Sequence, residues 1–532
     1  MLWGLRITSL GTLASRVLGM VRDMATTSLF GAGTTLDALV VAFRIPNLFR
    51  RLFGEGAFAA GYLPVIATRF VEDRHAAWQL FTVTLAWLSV VLAGIVVVAE
   101  LSCGLIWLVA GGEPATDLLL GLAAVMLPYL FFICLLAQLA ATLQALGHFT
   151  MPALAPALLN VCWLIGVWII APALGANERQ QVYLVALCVL VSGPLQIAPL
   201  VPALRRHGAR LDYNWSQNTA ALRRILTATG PMMLGLAVTQ INTLMDSLLA
   251  WLLAYDPATA EGRTIDWLGG AERPFDVGAA SVVYIGERLY QFPLGILGLA
   301  VATAIFPLLS RHAARRDWES LSDDLTLGAR LTLFLGLPAS VGLMIMAEPI
   351  TRLLFERGAF TGEATARTSQ VIVAYGVGVW AFCASPVIVR GYYALGDHRT
   401  PVRVGCLMLV VNLILNLMLV WPLAEAGLAL ATSLTGIAQV VMLAGLFSRF
   451  HAHLGWRPIA ITLLCTALAT AAMGTVTAGV LDVLPPKEGL AFELLAVAAP
   501  IAVGIAVFIA VAWLLRRHEL AMLFGLRRTR DR

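Results

Sequence analysis

The sequence predicts an all-α polytopic membrane protein, and three observations carry that prediction. Hydrophobic residues make up 59 % of the 532 positions and charged residues only 13 %, whereas a soluble domain carries about 25 % charged residues. Mean hydropathy is +0.84. The apolar residues also fall into long runs separated by short stretches rich in arginine. Such a chain lacks the polar residues to cover a water-facing surface, and the same composition excludes a disordered tail, a collagen or a disulfide-rich secreted module.

The elements follow in order. A membrane helix takes about 20 apolar residues. By that ruler spans fall near 8–31, 34–68, 78–111, 117–146, 152–174, 181–204, 221–254, 279–310, 325–347, 367–395, 401–423, 426–449, 457–481 and 491–515, fourteen in all. The first two are the least hydrophobic, and a hydropathy threshold alone passes over them. The first apolar stretch holds Arg16, Arg22 and Asp23 and leads straight into the next, so no cleavable signal peptide is expected.

Basic residues set the orientation. With a cytoplasmic N-terminus, 21 of the 36 basic residues fall on the cytoplasmic side, 7 on the opposite side and 8 within spans. The bias alternates loop by loop, which supports an even number of spans with both ends inside. Only one basic residue, Lys487, is lysine. Arginine usage of that kind fits genomic base bias, and no nucleic-acid partner is read from it. Seven cysteines (Cys103, Cys134, Cys162, Cys188, Cys383, Cys406, Cys465) lie in apolar segments without metal or redox spacing and are expected to be buried small apolar residues.

An internal echo divides the chain. Ala145-Leu146-Gly147 with Pro152 recurs as Ala394-Leu395-Gly396 with Pro401, after the fourth and tenth spans. Six spans apart means the same orientation, hence two pseudo-symmetric six-helix lobes around a central cavity; Gly closing one helix and Pro opening the next is also generic punctuation. The expected domains are an N-lobe at 1–212, a C-lobe at 213–453, two C-terminal helices at 454–516 and a basic cytoplasmic tail at 517–532.

Ionisable residues cluster inside particular spans. The first has Arg16, Arg22 and Asp23, the second Asp37, Arg44, Arg50, Arg51 and Glu55, and the eighth opens with Glu287 and Arg288. Each costs roughly 2.5–3.5 kcal/mol at a helix centre, so it should face a cavity or a partner. Arg16 and Asp23 are seven residues apart, about 20° from one face; Asp37, Arg44 and Arg51 repeat the step, with Pro46 kinking the helix. Gly54 and Gly56 beside Glu55 suggest a break where backbone groups could face that cavity. In the first two spans five arginines exceed three carboxylates by two. An apolar-walled cavity with two surplus guanidinium groups suits a doubly charged anion, whose phosphate oxygens match arginine's planar fork. The alternatives are ion pairs joining helices and, for Arg44, Arg51 and Arg69, snorkelling at helix ends; balanced pairs would leave no surplus.

A second polar set comprises Asp246 in the seventh span, with Gln240 and Asn242 nearby, Asn412 and Asn416 in the eleventh, and Thr432 in the twelfth. Their hard oxygens suit a small cation, and interhelical hydrogen bonding explains them equally well. No GxSxG, Walker A or HExxH motif occurs, and His451 and His453 sit in a loop without partners, so no enzyme is expected.

Ser15-Arg16-Val17-Leu18-Gly19-Met20-Val21-Arg22-Asp23, Phe30-Gly31-Ala32-Gly33, Asp37-Ala38, Phe43-Arg44-Ile45-Pro46-Asn47-Leu48-Phe49-Arg50-Arg51 and Glu55-Gly56-Ala57-Phe58 together resemble the MurJ/MviN family. These are bacterial lipid II flippases of the multidrug/oligosaccharidyl-lipid/polysaccharide exporter superfamily. The likeness continues through Gly230-Pro231, Glu287-Arg288-Leu289, Phe292-Pro293, Thr400-Pro401-Val402 and Gly427-Leu428.

The resemblance implies a fourteen-helix, two-lobed transporter carrying undecaprenyl-pyrophosphate-linked disaccharide-pentapeptide across the inner membrane. It places functional arginines at Arg16, Arg22, Arg50 and Arg288 and functional carboxylates at Asp23 and Asp37; Glu55 joins the expected substrate-binding set from the charge cluster of the second span. It sets the lipid tail against the last two spans, and a sodium site with ligand types like Asp246, Asn412, Asn416 and Thr432. No cofactor is expected beyond sodium or the membrane potential. The expected partners are lipid II, the bilayer and the cell-wall synthesis machinery, for a chain acting as a monomer. Two departures stand out. Gln291 occupies a position where the family has an acid, and the 256–278 loop is longer than usual. A flippase for another polyprenyl-linked glycan and a non-transporting membrane scaffold are the alternatives.

Overall fold

A computed structural model describes residues 2–54, 57–256, 263–265, 270–484, 489–515 and 518–523. The chain divides into two compact units, 1–252 and 253–532.

The first unit contains α1 (Leu2–Phe30), α2 (Thr34–Phe49), α3 (Ala57–Glu72), α4 (Arg74–Ala110), α5 (Pro114–Ala145), α6 (Thr150–Ile165), α7 (Ala171–Leu174), α8 (Glu178–Ile197), α9 (Leu200–Arg206) and α10 (Trp215–Leu252). Polar residues at the loop ends start several of these helices. The Asp73 carboxylate accepts from the His75 N–H at the head of α4, and Asn177 accepts from Gln180 at the head of α8. The core forms around α5, which packs against α2, α3, α4 and α8. Its buried residues Leu118, Leu122, Met126, Leu130 and Cys134 recur every four positions, the spacing of one helix face. Two polar side chains on that helix find partners inside the protein. Gln138 donates to the Phe81 carbonyl at 3.1 Å, and the Tyr62 and Thr142 hydroxyls lie 3.0 Å apart. The seventh expected span, α10, belongs to this unit and packs on α2, α3 and α4.

The second unit opens with two short pairings in the loop read as unusually long: β1 (Ala254–Tyr255) with β4 (Phe275–Asp276), and β2 (Thr264–Ile265) with β3 (Ala271–Glu272). Then come α11 (Ala279–Pro293), α12 (Leu299–Arg315), α13 (Trp318–Ile345), α14 (Ala347–Phe355), α15 (Gly362–Gly376), α16 (Val379–Ala394), α17 (Arg399–Phe450), α18 (Trp456–Val483), α19 (Leu490–Leu514) and α20 (His518–Leu523). The segment read as a basic tail therefore begins with a helix. There Glu519 is fully buried and accepts from Arg330 of α13 at 2.8 Å and from the Thr462 hydroxyl of α18 at 2.6 Å.

Among the described residues nine helices are long and apolar enough to cross a membrane, or eleven if two bent pairs count as one span each. The nine exclude α1, and also α2 and α3, which at 16 residues each are too short to cross singly. One of the nine, α17, has 52 residues, about 78 Å of helix against a hydrocarbon slab about 30 Å thick. It breaks at Ala424, where φ is 47° and ψ is −134°, between the expected spans 401–423 and 426–449.

The two echoed turns share their geometry. Gly147 has φ 79° and Gly396 φ 75°, the left-handed conformation that glycine adopts without penalty. In each, the residue after the glycine donates to a carbonyl five positions back: His148 to Leu143 at 2.8 Å, Asp397 to Tyr392 at 3.0 Å. The cysteines are all free, but only Cys134 and Cys383 are buried, and Cys406 is exposed on α17. The expectation of burial fails for the rest because an apolar helix surface can face lipid as well as core.

Candidate functional site

In the first unit the arginines sit on helices tied together by one indole. Trp163 of α6 packs edge-on against Phe43 of α2 at 5.1 Å and donates from Nε1 to the Thr26 hydroxyl of α1 at 3.1 Å. Above its ring, 4.6 Å from the centroid, lies the Arg22 guanidinium. Arg22 is buried; its Nε and Nη2 donate to Asp23 Oδ1 at 3.0 and 2.6 Å, and its Nη1 donates to Asn160 Oδ1 at 3.2 Å. The Asn160 amide donates in turn to the Ser15 carbonyl at 3.0 Å, closing a loop back to α1. Arg16, by contrast, is exposed and forms no ion pair among the described residues.

The second span supplies the remaining charges of this unit. Asp37 lies in the first turn of α2, only 1 % exposed, where the positive end of the helix dipole favours a carboxylate. Arg44 is buried and donates from Nε to Ser247 Oγ of α10 at 2.9 Å. After Pro46 the helix widens into a π turn, Arg50–Gly54, a form that recurs at functional sites. Arg50 at its start donates from Nε and Nη2 to Asn47 Oδ1 at 3.1 and 2.9 Å. Glu55 lies outside the described residues.

In the second unit Arg288 is half-buried on α11 and donates from Nε and Nη2 to the Tyr284 hydroxyl at 3.0 and 2.6 Å. Its neighbour Glu287 is buried and accepts from the Gln291 amide at 2.6 Å, so the residue that departs from the family pattern serves here as a neutral donor to an acid. Sequence reasoning passed over Asn160, Trp163, Asn47, Ser247 and Tyr284. Spacing would have found two of them, since Asn47–Arg50 and Tyr284–Arg288 are three and four residues apart.

Of the second polar set, Asn412, Asn416 and Thr432 meet on the two halves of α17. The Asn416 amide donates to Asn412 Oδ1 at 2.9 Å, and the Asn412 amide points to the Thr432 hydroxyl at 3.3 Å. Asp246 is buried on α10, in the other unit. Amide and hydroxyl oxygens fit a small hard cation by type.

Solved structures share the fold of this chain. A solved structure described as lipid II flippase MurJ in an inward closed conformation matches with a TM-score of 0.75, covering 96 % of this chain and 98 % of that one at 23 % identity. An inward-facing multidrug resistance MATE family transporter of the MOP superfamily matches with a TM-score of 0.63 at 14 % identity, covering 86 % of this chain and 95 % of that one. The chain therefore shares the fold of these polytopic helical membrane proteins. The family model of lipid II flippase MurJ matches residues 26–499. The chain is 35 % identical to a probable lipid II flippase MurJ of Vibrio cholerae, over 82 % of this chain and 81 % of that one. It is 32 % identical to a probable lipid II flippase MurJ of Rhizobium tropici, over 84 % and 80 %. The chain belongs to the lipid II flippase MurJ family and is a multi-pass bacterial membrane protein.

Proposed function

We propose that this protein flips lipid II, the undecaprenyl-pyrophosphate-linked peptidoglycan precursor, from the cytoplasmic to the periplasmic leaflet of the bacterial inner membrane by alternating access. The family match over residues 26–499 carries the reading. The α1 arginines support it chemically: Arg16 is exposed without an ion pair among the described residues, and Arg22 is held in place by Asp23, Asn160 and Trp163. Arg16, Arg22 and Arg50 of the first unit and Arg288 of the second take the pyrophosphate oxygens, while Asp23, Asp37 and Glu55 set the balance of charge when no cargo is bound. Fourteen spans with both termini cytoplasmic, a monomer, and hand-over to the cell-wall synthesis machinery complete the reading.

The return step is driven by the membrane potential or a sodium gradient, since one charge moved across 100 mV is worth about 2.3 kcal/mol. Asp246, Asn412, Asn416 and Thr432 are the residues that would hold sodium, which supplies a positive charge to be moved with the gradient.

Arg16→Ala and Arg288→Ala should each abolish complementation of a strain depleted of its flippase, at normal protein levels; full complementation by both overturns the arginine grip. Depletion of this protein should accumulate lipid-linked peptidoglycan precursor facing the cytoplasm. No accumulation would point to a scaffold, and accumulation of a different polyprenyl-linked glycan would reassign the cargo.

A further inference from the structure

Arg390 is an arginine within a span for which the cargo contacts above give no use. It lies four residues before the end of α16. That helix packs alongside α12, sharing a buried cluster through Ile305 and Leu309 on one side and Val387 and Ile388 on the other. The Arg390 guanidinium sits 4.8 Å from the centre of the Phe306 ring of α12. Among the described residues it makes no hydrogen bond and no ion pair. Arg22, Arg44, Arg50, Arg288 and Arg330 differ in this respect, because each donates to a protein oxygen.

An arginine has five N–H donors in a planar fork, and leaving them without acceptors at the edge of a hydrocarbon slab is costly. The ring of Phe306 offers a cation–π contact but no oxygen acceptor. One turn on, Tyr393 lies within reach of the Arg390 charge, and its ring stands 4.9 Å from that of His398. A guanidinium, a phenol and an imidazole therefore line one end of α16, all able to donate to phosphate oxygens.

Its place along the span gives this cluster a role. Phe306 is eighteen residues beyond Arg288, roughly 27 Å of helix, close to the thickness of the hydrocarbon core at about 30 Å. The stretch of α11 and α12 from Arg288 to Phe306, against which Arg390 lies, is thus comparable in length to a membrane crossing.

We propose that Arg390 is a second contact for a lipid phosphate, at the end of the second unit opposite Arg288. Resting on the lipid II reading, the phosphate belongs either to the carried polyprenyl pyrophosphate or to a bilayer phospholipid; the chemistry of recognition is the same. A conservative change should not suffice, because lysine keeps the charge but loses the fork.

The test uses full-length protein in detergent, with thermal stability followed against added undecaprenyl pyrophosphate, phosphatidylglycerol and, as the neutral control, diacylglycerol. For Arg390→Ala the concentration of at least one phosphate lipid needed for half the stabilisation should rise about ten-fold, the loss of one charged contact. Arg390→Lys should fall between the two. Arg390→Met keeps the apolar stem against Phe306 and replaces the alanine variant if that one misfolds. A change confined to phosphatidylglycerol assigns the site to the bilayer, and one confined to the pyrophosphate assigns it to the cargo. Wild-type behaviour of Arg390→Ala and Arg390→Met towards both lipids overturns the proposal. If the pyrophosphate stabilises neither wild type nor variant, it is the lipid II reading that fails, and the phosphatidylglycerol arm still decides on Arg390.

Discussion

A guanidinium enclosed by protein needs an acceptor along each edge, and Arg22 has them in Asp23 and Asn160, with the Trp163 ring beneath its plane. Removing one partner of such a buried pair is worse than never having had it, because the remaining charge is stranded. Asp23→Ala should therefore lower stability by about 3–5 kcal/mol, read as a lower midpoint of thermal unfolding in detergent. An unchanged midpoint would mean that water reaches Arg22 freely. The pair itself was legible, since Arg22 and Asp23 are neighbours in the sequence. Asn160 was not. It lies 138 positions from Arg22 and comes into reach only because α6 packs against α1, a tertiary event with no local signature.

At the scale of single elements, α17 shows both what periodicity reveals and what it hides. Two apolar runs separated at 424–425 mark two spans, and the structure breaks there. Pro422 two residues earlier is a local cue, but the residue that leaves the helical conformation is neither Gly nor Pro. Ala424 holds φ 47°, a conformation costing a residue with a Cβ about 1–3 kcal/mol. Behind it, Glu425 pairs with Arg367, whose Nη1 and Nη2 also donate to the Val277 and Asp276 carbonyls at 2.9 and 3.1 Å. That buried clamp holds the turn in place. Ala424→Gly should thus raise the unfolding midpoint by the equivalent of about 1 kcal/mol, and a fall instead would show that the strain is not stored at this residue.

The turn that opens α17 makes a pH-dependent contribution of a predictable sign. Burial pushes the Asp397 carboxyl up. The Thr400 hydroxyl, the Thr400 and Arg399 N–H groups and His451 outweigh it, so the group sits below its usual range. A depressed folded pKa means that stability is fully present above the unfolded value, about 3.9, and is lost as pH falls through the folded one. Asp397→Ala removes the cap and should cost about 1 kcal/mol at neutral pH, with the difference from wild type vanishing only in strong acid. In the echoed turn His148 stands in the place of Asp397 and brings no carboxylate to accept those N–H groups.

For the whole molecule, composition settled the membrane and the ionisable clusters settled which helices would look too polar to cross it. What composition could not show was the allotment of α10, which lies in the unit 1–252 because it packs along α2 and α3; the echo in the sequence counts spans, not contacts. Orientation is a property of the same whole-chain charge pattern and can be tested on it. Arginine is held on the cytoplasmic side because insertion leaves basic loops untranslocated. With a cytoplasmic N-terminus, 21 basic residues are expected on the cytoplasmic side against 7 on the other, although the turn at 147–151 carries none. Ser216, at the head of α10, and Glu363, at the head of α15, are both exposed and fall on opposite sides in that scheme. In a background with all seven cysteines replaced, Glu363→Cys should react with a membrane-impermeant thiol reagent in intact spheroplasts. Ser216→Cys should react only after the membrane is opened. The reverse pattern would invert the topology; labelling of both from outside would mean that the number of spans between them is even rather than odd.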